Sequence, residues 1–301
     1  MKNNIIKKIE KISCGEVIID SSLKKYNTYK VDSNVLALVL PRNIDELKKI
    51  IKFCKDENMD YKIIGNGSNL IYCKKYYEKI FINLCNLNKF SIDDNIVIAE
   101  SGVSLQKLAL KVSKIGLSGL EFATGIPATI GGAIYMNAGA YNSDMSFVVE
   151  KVKLLNENAE IIELQNKELN FSYRHSLLQE RQDLICIEAT FKLNYDDPEK
   201  INKIINDRKE RRKITQPLEY PSAGSVFRNP SKEIFAGKLI EDLNLKGKNI
   251  GDAKISEKHA NFIINDGNAN GEDIKNLILY TKKEVKNKYN IDLKIEQEFV
   301  E

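Results

Sequence analysis

A loop with two glycines contains the residue types that could bind a phosphate group. The segment GNGSNLI, at residues 65–71, follows a short apolar stretch that predicts a β-strand. Gly65 and Gly67 would leave backbone N–H groups open to a ligand, and Ser68 and Asn69 add short polar side chains. Neighbouring donors of this kind form a nest that suits phosphate or pyrophosphate, although a plain surface turn is the alternative explanation.

A second segment, GIPATIGGAIYMNAGAY at residues 125–141, is rich in glycine and almost free of charge. Glycine lets another group approach the backbone closely, so the segment indicates backbone that lies against a flat or anionic ligand. Neither standard nucleotide motif is present. Leu70 stands where the dinucleotide fingerprint needs a small residue, and neither glycine of the 65–71 loop precedes a lysine, as a P-loop requires. The two segments together predict a nucleotide cofactor.

Ser225 lies in the segment PSAGSVFRNP, residues 221–230, where two prolines flank small residues. This composition predicts a constrained loop with backbone donors near the hydroxyl; a plain interdomain turn is the alternative. No G-x-S-x-G motif surrounds Ser225, and His175 and His259 are not placed to complete a hydrolase triad. A catalytic Ser225 would therefore donate a proton rather than attack as a nucleophile.

Arg174 and two glutamates are further candidates for contact with an anionic or reacting group. Arg174 lies in FSYRHS among aromatic and hydroxyl residues, and its planar fork of donors suits a carboxylate or phosphate. In the C-terminal tail, strand alternation places Glu296 and Glu298 on one face. On sequence alone, solvated surface positions are the favoured explanation for all three residues, and both histidines fit ordinary structural roles.

The elements that must position these residues alternate between strands and helices. Asn43 is expected to cap a helix, with Glu46 at the spacing of a capping box. Apolar periodicity predicts further helices at 103–115, 200–213, 235–243 and 270–289. Strands are expected at 35–40, 61–64, 80–84, 96–99, 148–155, 159–164, 184–193, 260–265 and 292–300. The order predicts an α+β protein whose first eighty or so residues contain a β-α-β unit.

The composition excludes several classes of function. The 301 residues carry 46 basic and 42 acidic side chains, too balanced for a nucleic-acid-binding surface. The N-terminus lacks a signal-peptide core, and no stretch is apolar enough for a membrane span, so we expect a cytoplasmic protein without a membrane partner. Five scattered cysteines indicate reduced thiols. With two distant histidines, we expect no metal site.

The three segments GNGSNLI, GIPATIGGAIYMNAGAY and PSAGSVFRNP, in this order and spacing, resemble those of the flavin-dependent UDP-N-acetylenolpyruvoylglucosamine reductases. FSYR at 171–174, SEKHANFIIN at 256–265 and LKIEQEFV at 293–300 extend the resemblance over essentially the whole chain. The absence of an insertion after FSYR resembles the shorter form of the family.

The resemblance implies a fold and a domain organisation. The fold would be the α+β FAD-binding fold of the vanillyl-alcohol-oxidase type, with a third α+β domain for the substrate. The first FAD-binding subdomain would comprise residues 1–84 with the C-terminal strand 292–301, and the second residues 85–199. Residues 200–291 would form the substrate-binding domain with its leading helix.

The resemblance also implies a reaction. NADPH would reduce bound FAD, and the flavin would reduce the enolpyruvyl ether of a UDP-sugar to a lactyl ether, giving UDP-N-acetylmuramate for peptidoglycan. Such an enzyme would bind only these small-molecule substrates, and we expect a monomer. Hydride addition leaves charge on an enolate conjugated with the carboxylate, which a nearby cation and acid would stabilise.

Site residues follow from the same resemblance. Ser225 matches the serine that protonates the intermediate, Arg174 the arginine near the substrate carboxylate, and Glu296 the C-terminal glutamate of the site. Arg174, Gly224 and Asn229 would contact the substrate. The positions implied to bind FAD are Gly65, Asn66, Gly67, Ser68, Asn69, Gly125, Ile126, Thr129, Gly131, Gly132, Ala133 and Asn137.

Two positions depart from the family pattern. Residues 31–34 replace a common Gly-Gly pair, and Ala128 replaces a common glycine near the position expected for the flavin pyrophosphate. Two alternatives remain open from the sequence. Another FAD-linked oxidase or dehydrogenase of the same fold would share the glycine segments without needing PSAGSVFRNP. A non-catalytic flavin- or nucleotide-binding protein would tolerate the loss of Ser225.

Overall fold

The structure is a computed structural model that describes residues 2–301, with side chains described from Ile5 onward; Met1, the first residue of the expected first subdomain, lies outside the described residues. Within this range the chain forms α-helices of 6 to 19 residues. They are α1 (Lys2–Ile9), α2 (Ile44–Asp56), α3 (Leu105–Ser113), α4 (Ile130–Tyr135), α5 (Pro198–Thr215), α6 (Ala236–Asp242) and α7 (Gly271–Tyr289).

The β-strands are mostly short. They are β1 (Glu16–Ser22), β2 (Asn34–Leu40), β3 (Tyr61–Ile64), β4 (Leu70–Tyr72), β5 (Tyr76–Asn83), β6 (Phe90–Asp93), β7 (Ile96–Glu100), β8 (Leu117–Ser118), β9 (Gly139–Ala140), β10 (Ser143–Asp144), β11 (Val149–Leu155), β12 (Ile161–Gln165), β13 (Ile185–Lys192), β14 (Asn194–Tyr195), β15 (Asn249–Ile250), β16 (Ala253–Ile255), β17 (Ile263–Asn265) and β18 (Glu298–Val300).

The chain folds into two compact units, each assembled from three stretches of sequence. Unit 1 comprises Met1–Ser21, Val35–Asn66 and Glu78–Lys209. Unit 2 comprises Ser22–Asn34, Gly67–Tyr77 and Glu210–Glu301. The chain therefore passes from unit 1 into unit 2 in the middle of the GNGSN loop, between Asn66 and Gly67.

The first sheet of unit 1 has the strand order β1-β2-β5-β3. Strands β2 and β3 lie in this sheet on either side of β5, and α2 connects them in the chain, which confirms the predicted β-α-β order. Strands β3 and β5 are parallel. The helix begins at its cap Asn43, whose side chain accepts from the Glu46 N–H. The second half of the predicted capping box is wrong, because the Glu46 carboxylate accepts from the backbone and guanidinium of Arg42 instead.

The second sheet of unit 1 is antiparallel and has the order β12-β11-β13-β7-β6. Helix α3 begins after Ser104, whose side chain accepts from the Lys107 N–H, and Gly116 follows its C-terminus at φ +80°. The predicted apolar face of this helix, with Leu105, Leu108 and Val112, is buried in one core with the inward residues of the sheet. The strand and helix predictions for this region are confirmed.

Unit 2 contains the three-stranded antiparallel sheet β15-β16-β17 and the long helix α7. Asn270 and Asp273 form a reciprocal capping box at the start of α7, and Asn290 ends it in the left-handed conformation. Within the same unit, β18 pairs in parallel with β4, so the C-terminus of the chain is anchored beside the strand that follows the GNGSN loop.

Several predicted elements differ from the structure. The expected strand at 292–300 is regular only over its last three residues, because Ile295 makes a single bridge to Phe227 rather than joining a ladder. The expected strand at 260–265 begins at Ile263. Helix α1 and strand β1 were not predicted. No helix within residues 2–301 is long and apolar enough to span a bilayer.

Candidate functional site

The first part of the GNGSN loop is built against the glycine-rich run inside unit 1. A Cβ on Gly65 would collide with Thr129 Oγ1, so only glycine lets the two segments approach this closely. The Asn66 side chain donates to the Pro127 carbonyl at 3.1 Å, and Asn83 Nδ2 donates to the Gly65 carbonyl at 3.0 Å. The two glycine segments that the sequence singled out are therefore brought together.

The second part of the loop belongs to unit 2. Gly67 has φ +61°, and a Cβ there would collide with the Tyr26 carbonyl, so both the backbone conformation and the lack of space require glycine. Asn69 Nδ2 donates to the Glu296 carbonyl at 3.0 Å, and the Glu298 N–H donates to the Asn69 carbonyl at 2.9 Å. Asn69 thus ties the loop to the C-terminal segment.

The backbone amides of this loop suit an anion. Among the described residues, the N–H groups of Asn66, Gly67 and Ser68 donate to no backbone carbonyl. Consecutive backbone N–H groups that donate to no backbone carbonyl can donate to the oxygens of a phosphate group instead. This arrangement fits the pyrophosphate of a dinucleotide such as FAD.

The glycine-rich run has more regular structure than its composition suggested. A 3₁₀ turn at Glu121–Gly125 leads through Ile126 to the short helix α4, where the Thr129 hydroxyl accepts from the Gly132 N–H at 3.4 Å. The Gly131 N–H donates to the Ser101 carbonyl at 2.8 Å. These two amides are therefore satisfied within unit 1.

Glycine in this run serves close packing instead. A Cβ on Gly131 would lie 3.0 Å from Ser101 Cβ, and one on Gly139 would press against the Ser143 backbone. Gly132 differs, since it is exposed and a Cβ there would meet only Thr129 Oγ1 at 3.5 Å. Its open face is a place where a ligand could lie flat against the backbone. Ala133 is fully buried in the core.

Arg174 lies at the tip of a tight turn in unit 1. Ser172 and His175 pair through two backbone hydrogen bonds, and Arg174 between them has φ +58°. Its guanidinium donates to the Gly139 carbonyl at 2.6 Å and lies 5.1 Å from the centre of the Tyr173 ring. These contacts hold the charged group in one place beside the glycine-rich run.

Two amides that flank the turn connect it to the same run. The buried Asn137 donates to the Ser172 carbonyl at 2.8 Å. Gln179 Nε2 donates to the carbonyls of Arg174 and Tyr135, at 3.1 and 2.9 Å. Asn137, implied by the resemblance to bind FAD, thus has a packing role within the protein. Gln179 was missed, because a single amide in a polar stretch carries no pattern.

Ser225 and Glu296 lie on neighbouring segments of unit 2. Ser225 makes a bridge to Phe262, and the Glu296 N–H donates to the carbonyl of Val226 at 2.8 Å. Gly224, just before the serine, has φ +77°, which a side chain would strain. The predicted serine and glutamate are therefore brought together in one small region of the unit.

Asn229 and Gln297 complete the described surroundings of the serine loop. Asn229 Oδ1 accepts from the Ala236 N–H at 3.1 Å and so supports the first turn of α6. Gln297 Nε2 donates to the carbonyls of Ala223 and Gly224, at 3.1 and 3.2 Å. Sequence reasoning missed Gln297, although the alternation that put Glu296 and Glu298 on one face put this residue on the other.

His259 lies in the SEKHANFIIN segment of unit 2 and has a structural role. Its Nδ1 accepts from the Asn261 N–H at 3.2 Å, and its ring packs against Phe262. Burial holds the pKa of His259 below its usual value, so the ring is neutral near neutral pH. Within residues 2–301, no group of three His, Cys, Asp or Glu side chains is placed to hold a metal ion.

Two family models match the chain in separate stretches. An FAD-binding domain model matches residues 35–165, and a model described as the C-terminal domain of UDP-N-acetylenolpyruvoylglucosamine reductase matches residues 216–300. The first match contains both glycine segments, and the second contains Ser225 and Glu296.

Curated relatives match over nearly the full length. The UDP-N-acetylenolpyruvoylglucosamine reductase of Caldicellulosiruptor saccharolyticus is 43% identical over 97% of this chain and 94% of the relative. The protein of the same name from Bacillus pumilus is 41% identical over 99% and 98% of the two chains.

Solved structures agree with these matches. The UDP-N-acetylenolpyruvylglucosamine reductase of Thermus caldophilus aligns with a TM-score of 0.80 at 31% identity, over 95% of this chain and 98% of that one. The glucose dehydrogenase Phl p 4.0202 aligns with a TM-score of 0.51 at 13% identity, over 65% and 44%, which shows a shared fold alone. The predicted α+β FAD-binding fold is confirmed.

Proposed function

The chain belongs to the UDP-N-acetylenolpyruvoylglucosamine reductase family, and on that premise we propose that it reduces UDP-N-acetylglucosamine enolpyruvate with electrons from NADPH. It is a flavin-dependent oxidoreductase of peptidoglycan precursor synthesis with an FAD-binding domain. The observation that carries the proposal is the near-full-length similarity to reductases of this name, which extends through both matched domains. The product would be UDP-N-acetylmuramate.

FAD would be held by the two glycine segments. The amides of Asn66, Gly67 and Ser68, which donate to no backbone carbonyl, support a contact with its pyrophosphate, and the open face of Gly132 supports close approach of the cofactor to the backbone. The remaining positions in this proposal are Gly65, Asn69, Gly125, Ile126, Thr129, Gly131, Ala133 and Asn137. Bound FAD would supply the hydride that the reaction needs.

The protein's own side chains would handle charge and one proton. Hydride addition to the methylene carbon turns the enolpyruvyl group into a carbanion stabilised as an enolate by the carboxylate, and a proton must then reach the adjacent carbon. We assign that proton to the Ser225 hydroxyl. The Arg174 guanidinium would bind the substrate carboxylate, where the negative charge grows. The fixed position of the Arg174 turn supports this role.

Glu296 would act with Ser225. The hydrogen bond from the Glu296 N–H to the Val226 carbonyl supports the pairing, because it holds the backbone of the glutamate against the residue that directly follows the serine. A carboxyl group near the hydroxyl would, in its protonated form, supply a replacement proton after transfer and so restore the acid. Gly224 and Asn229 would line the substrate side of the same loop.

Domain roles and setting complete the proposal. Residues 1–84 with 292–301, and residues 85–199, would form the two FAD-binding subdomains, and residues 200–291 the substrate domain. The match of the C-terminal family model to residues 216–300 supports the last assignment. We propose that the enzyme works in the cytoplasm as a monomer on small-molecule substrates, without nucleic-acid or membrane partners.

Product analysis tests the reaction. The purified protein, loaded with FAD, is incubated with NADPH and UDP-N-acetylglucosamine enolpyruvate in D₂O, and the product is examined by NMR. We expect a lactyl ether that carries deuterium on the carbon attached to oxygen, the position that the proton from the protein reaches. Oxidation of NADPH without a lactyl product would contradict the proposal and favour another dehydrogenase of the same fold.

A further inference from the structure

The Gln297 side chain holds the backbone just ahead of Ser225. Its Nε2 donates to the carbonyls of Ala223 and Gly224 at 3.1 and 3.2 Å, with the Ser225 carbonyl a third, longer neighbour at 3.4 Å. An amide nitrogen has two hydrogens, so the two shorter contacts use its full donor capacity. One side chain thus fixes the orientation of consecutive peptide groups.

A buried tyrosine fixes Gln297 in turn. The Tyr29 hydroxyl, with the residue fully buried, lies 2.9 Å from Gln297 Oε1 and donates to it. Burial raises the pKa of Tyr29 well above its usual value, with bonds to Gln297 and the Ala223 backbone opposing the shift, so the hydroxyl keeps its proton. Because Oε1 is occupied by this donor, Nε2 must face the carbonyls.

The side chain of Asn265 holds the backbone of Tyr29. Asn265 Nδ2 donates to the Tyr29 carbonyl at 2.9 Å, and Asn265 Oδ1 accepts from the N–H groups of Gly267 and Ala269. Gln297 itself is 4% exposed. The connection from Asn265 through Tyr29 and Gln297 to the serine loop therefore lies within unit 2 and away from water, where hydrogen bonds are hard to exchange.

The loop that receives these bonds needs support from outside itself. Gly224 has φ +77°, and nothing lies within 4 Å of the place where its Cβ would be. No neighbouring group therefore packs against Gly224 on that side, and the conformational freedom of glycine is unusually large. The hydrogen bond from Gln297 to the Gly224 carbonyl supplies the missing restraint.

We propose that Gln297 is a positioning residue: by donating to the carbonyls of residues 223–225, its side chain fixes the orientation of the Ser225 hydroxyl. The inference rests on the proposed role of Ser225 as the proton donor. Gln297 touches no reacting atom in this scheme. Its side chain bonds the carbonyls ahead of Ser225, and the N–H of the preceding residue, Glu296, donates to the carbonyl of Val226 just after it, so one segment holds the loop on both sides of the serine.

Anaerobic stopped-flow measurement of the two half-reactions separates an effect on the orientation of the Ser225 hydroxyl from an effect on the stability of the fold. The variants, each loaded with FAD, are Gln297→Met, Tyr29→Phe/Gln297→Met and Ser225→Ala. The control is Asn166→Ala, which likewise removes an amide that bridges two carbonyls, those of Ser146 and Val149 in unit 1. Flavin reduction by NADPH and reoxidation by UDP-N-acetylglucosamine enolpyruvate are followed in the visible spectrum, with melting temperatures alongside.

The single variant should reduce its flavin within about twofold of the wild-type rate but reoxidise about 10- to 100-fold more slowly, because sub-ångström misplacement of a reacting group has effects of this size. The double variant removes both buried polar partners at once, so its melting temperature should recover toward wild type. Its reoxidation should stay slow. Asn166→Ala should reoxidise normally.

Two results would overturn the inference about Gln297 without affecting the proposed function. One is a wild-type rate of flavin reoxidation in Gln297→Met. The other is a double variant in which both the reoxidation rate and the melting temperature return to wild-type values. Either result with a slow Ser225→Ala variant leaves the role of the serine intact. Normal reoxidation by Ser225→Ala would instead remove the serine from the mechanism, and the inference about Gln297 with it.

Discussion

A serine hydroxyl is a weak acid in water, so Ser225 can protonate a carbanion only where its surroundings make the transfer easy. In unit 2 the residue lies on a loop held by Gln297 and next to the segment that carries Glu296. The hydroxyl needs a fixed direction and a source for the proton that it gives up. The residues around it provide both under the proposed scheme.

Replacement of this hydroxyl gives the first prediction. Ser225→Ala should leave flavin reduction by NADPH unchanged and slow flavin reoxidation by the enolpyruvyl substrate by about 10²- to 10⁴-fold, the usual contribution of a positioned proton donor. Single-turnover kinetics of the two half-reactions measure this directly. Equal slowing of both half-reactions would indicate a general structural defect instead.

The second prediction concerns Arg174, whose turn geometry suits it to bind one carboxylate. Arg174→Lys keeps the charge but loses the bidentate fork and the contact with the Gly139 carbonyl. We expect kcat/KM for the enolpyruvyl substrate to fall by about 10²- to 10³-fold while the rate of flavin reduction by NADPH stays constant. His175→Gln, the adjacent substitution, is the control. An unchanged kcat/KM in Arg174→Lys would rule out direct binding of the carboxylate.

At the level of residues, the sequence singled out a serine and a glutamate that the fold places on neighbouring segments, but it missed the buried side chains around them. Ser225 and Glu296 were selected and are close together in unit 2. Gln297 and Tyr29 were not selected, because nothing local distinguishes a buried amide from a solvated one. They are 268 residues apart in sequence, and only the fold brings them into contact.

At the level of elements, α7 supports the C-terminal segment of unit 2. Its first residue, Gly271, has no side chain, and a Cβ there would collide with the Tyr72 carbonyl of β4. Strand β4 pairs with β18, which directly follows Gln297. The start of α7, the strand after the GNGSN loop and the end of the chain therefore form one packed group within the unit.

The cap of this helix gives the third prediction. Asn270→Ala removes the acceptor for the Asp273 N–H and breaks the reciprocal box, so the free energy of unfolding should fall by about 1 kcal/mol. Urea denaturation monitored by circular dichroism measures the change. Asn268→Ala, in the same loop but outside the cap, should have little effect. Equal losses in the two variants would show that the cap is not the cause.

Element prediction succeeded where a periodic pattern or a cap was present. Helices α2, α3 and α7 have an apolar stripe and an N-cap side chain, and all three were expected. Helix α4 was not expected, because two of its six residues are glycine. Its amides are satisfied by Ser101 and Thr129, contacts from outside the helix that sequence reasoning cannot supply.

At the level of the whole molecule, stability should depend on the protonation of His259. Burial lowers the pKa of this imidazole in the folded state relative to its value of about 6.5 in the unfolded chain. The unfolded state then binds the proton more readily. The contribution of the neutral ring to stability is complete above the unfolded value and is lost as the pH falls below it toward the folded value.

The fourth prediction follows from the lowered pKa of His259 in the folded state. Wild-type protein should lose stability between pH 7 and pH 5, and His259→Gln should show a shallower decline over the same range. Urea unfolding at several pH values measures both. His175→Gln is the matched control, because it changes the only other histidine. Parallel pH profiles for wild type and His259→Gln would contradict the assignment.

The thiols of the folded chain should be slow to react. Burial raises the pKa of Cys14 and Cys73 to about 11 and that of Cys54 and Cys186 to about 12, and it also raises that of Cys85. Thiolate is the reactive form, so little of it exists near neutral pH. This agrees with the expectation of reduced cysteines that act mostly as small apolar residues; three of the five are buried.

The central claim, that this chain passes electrons from NADPH through FAD to an enolpyruvyl UDP-sugar, is tested most directly by one anaerobic titration. NADPH is added to the purified, FAD-loaded protein until the visible flavin absorbance is lost, and UDP-N-acetylglucosamine enolpyruvate is then added in stoichiometric amount. The account predicts full return of the oxidised flavin spectrum. A flavin that stays bleached after the substrate is added would contradict it.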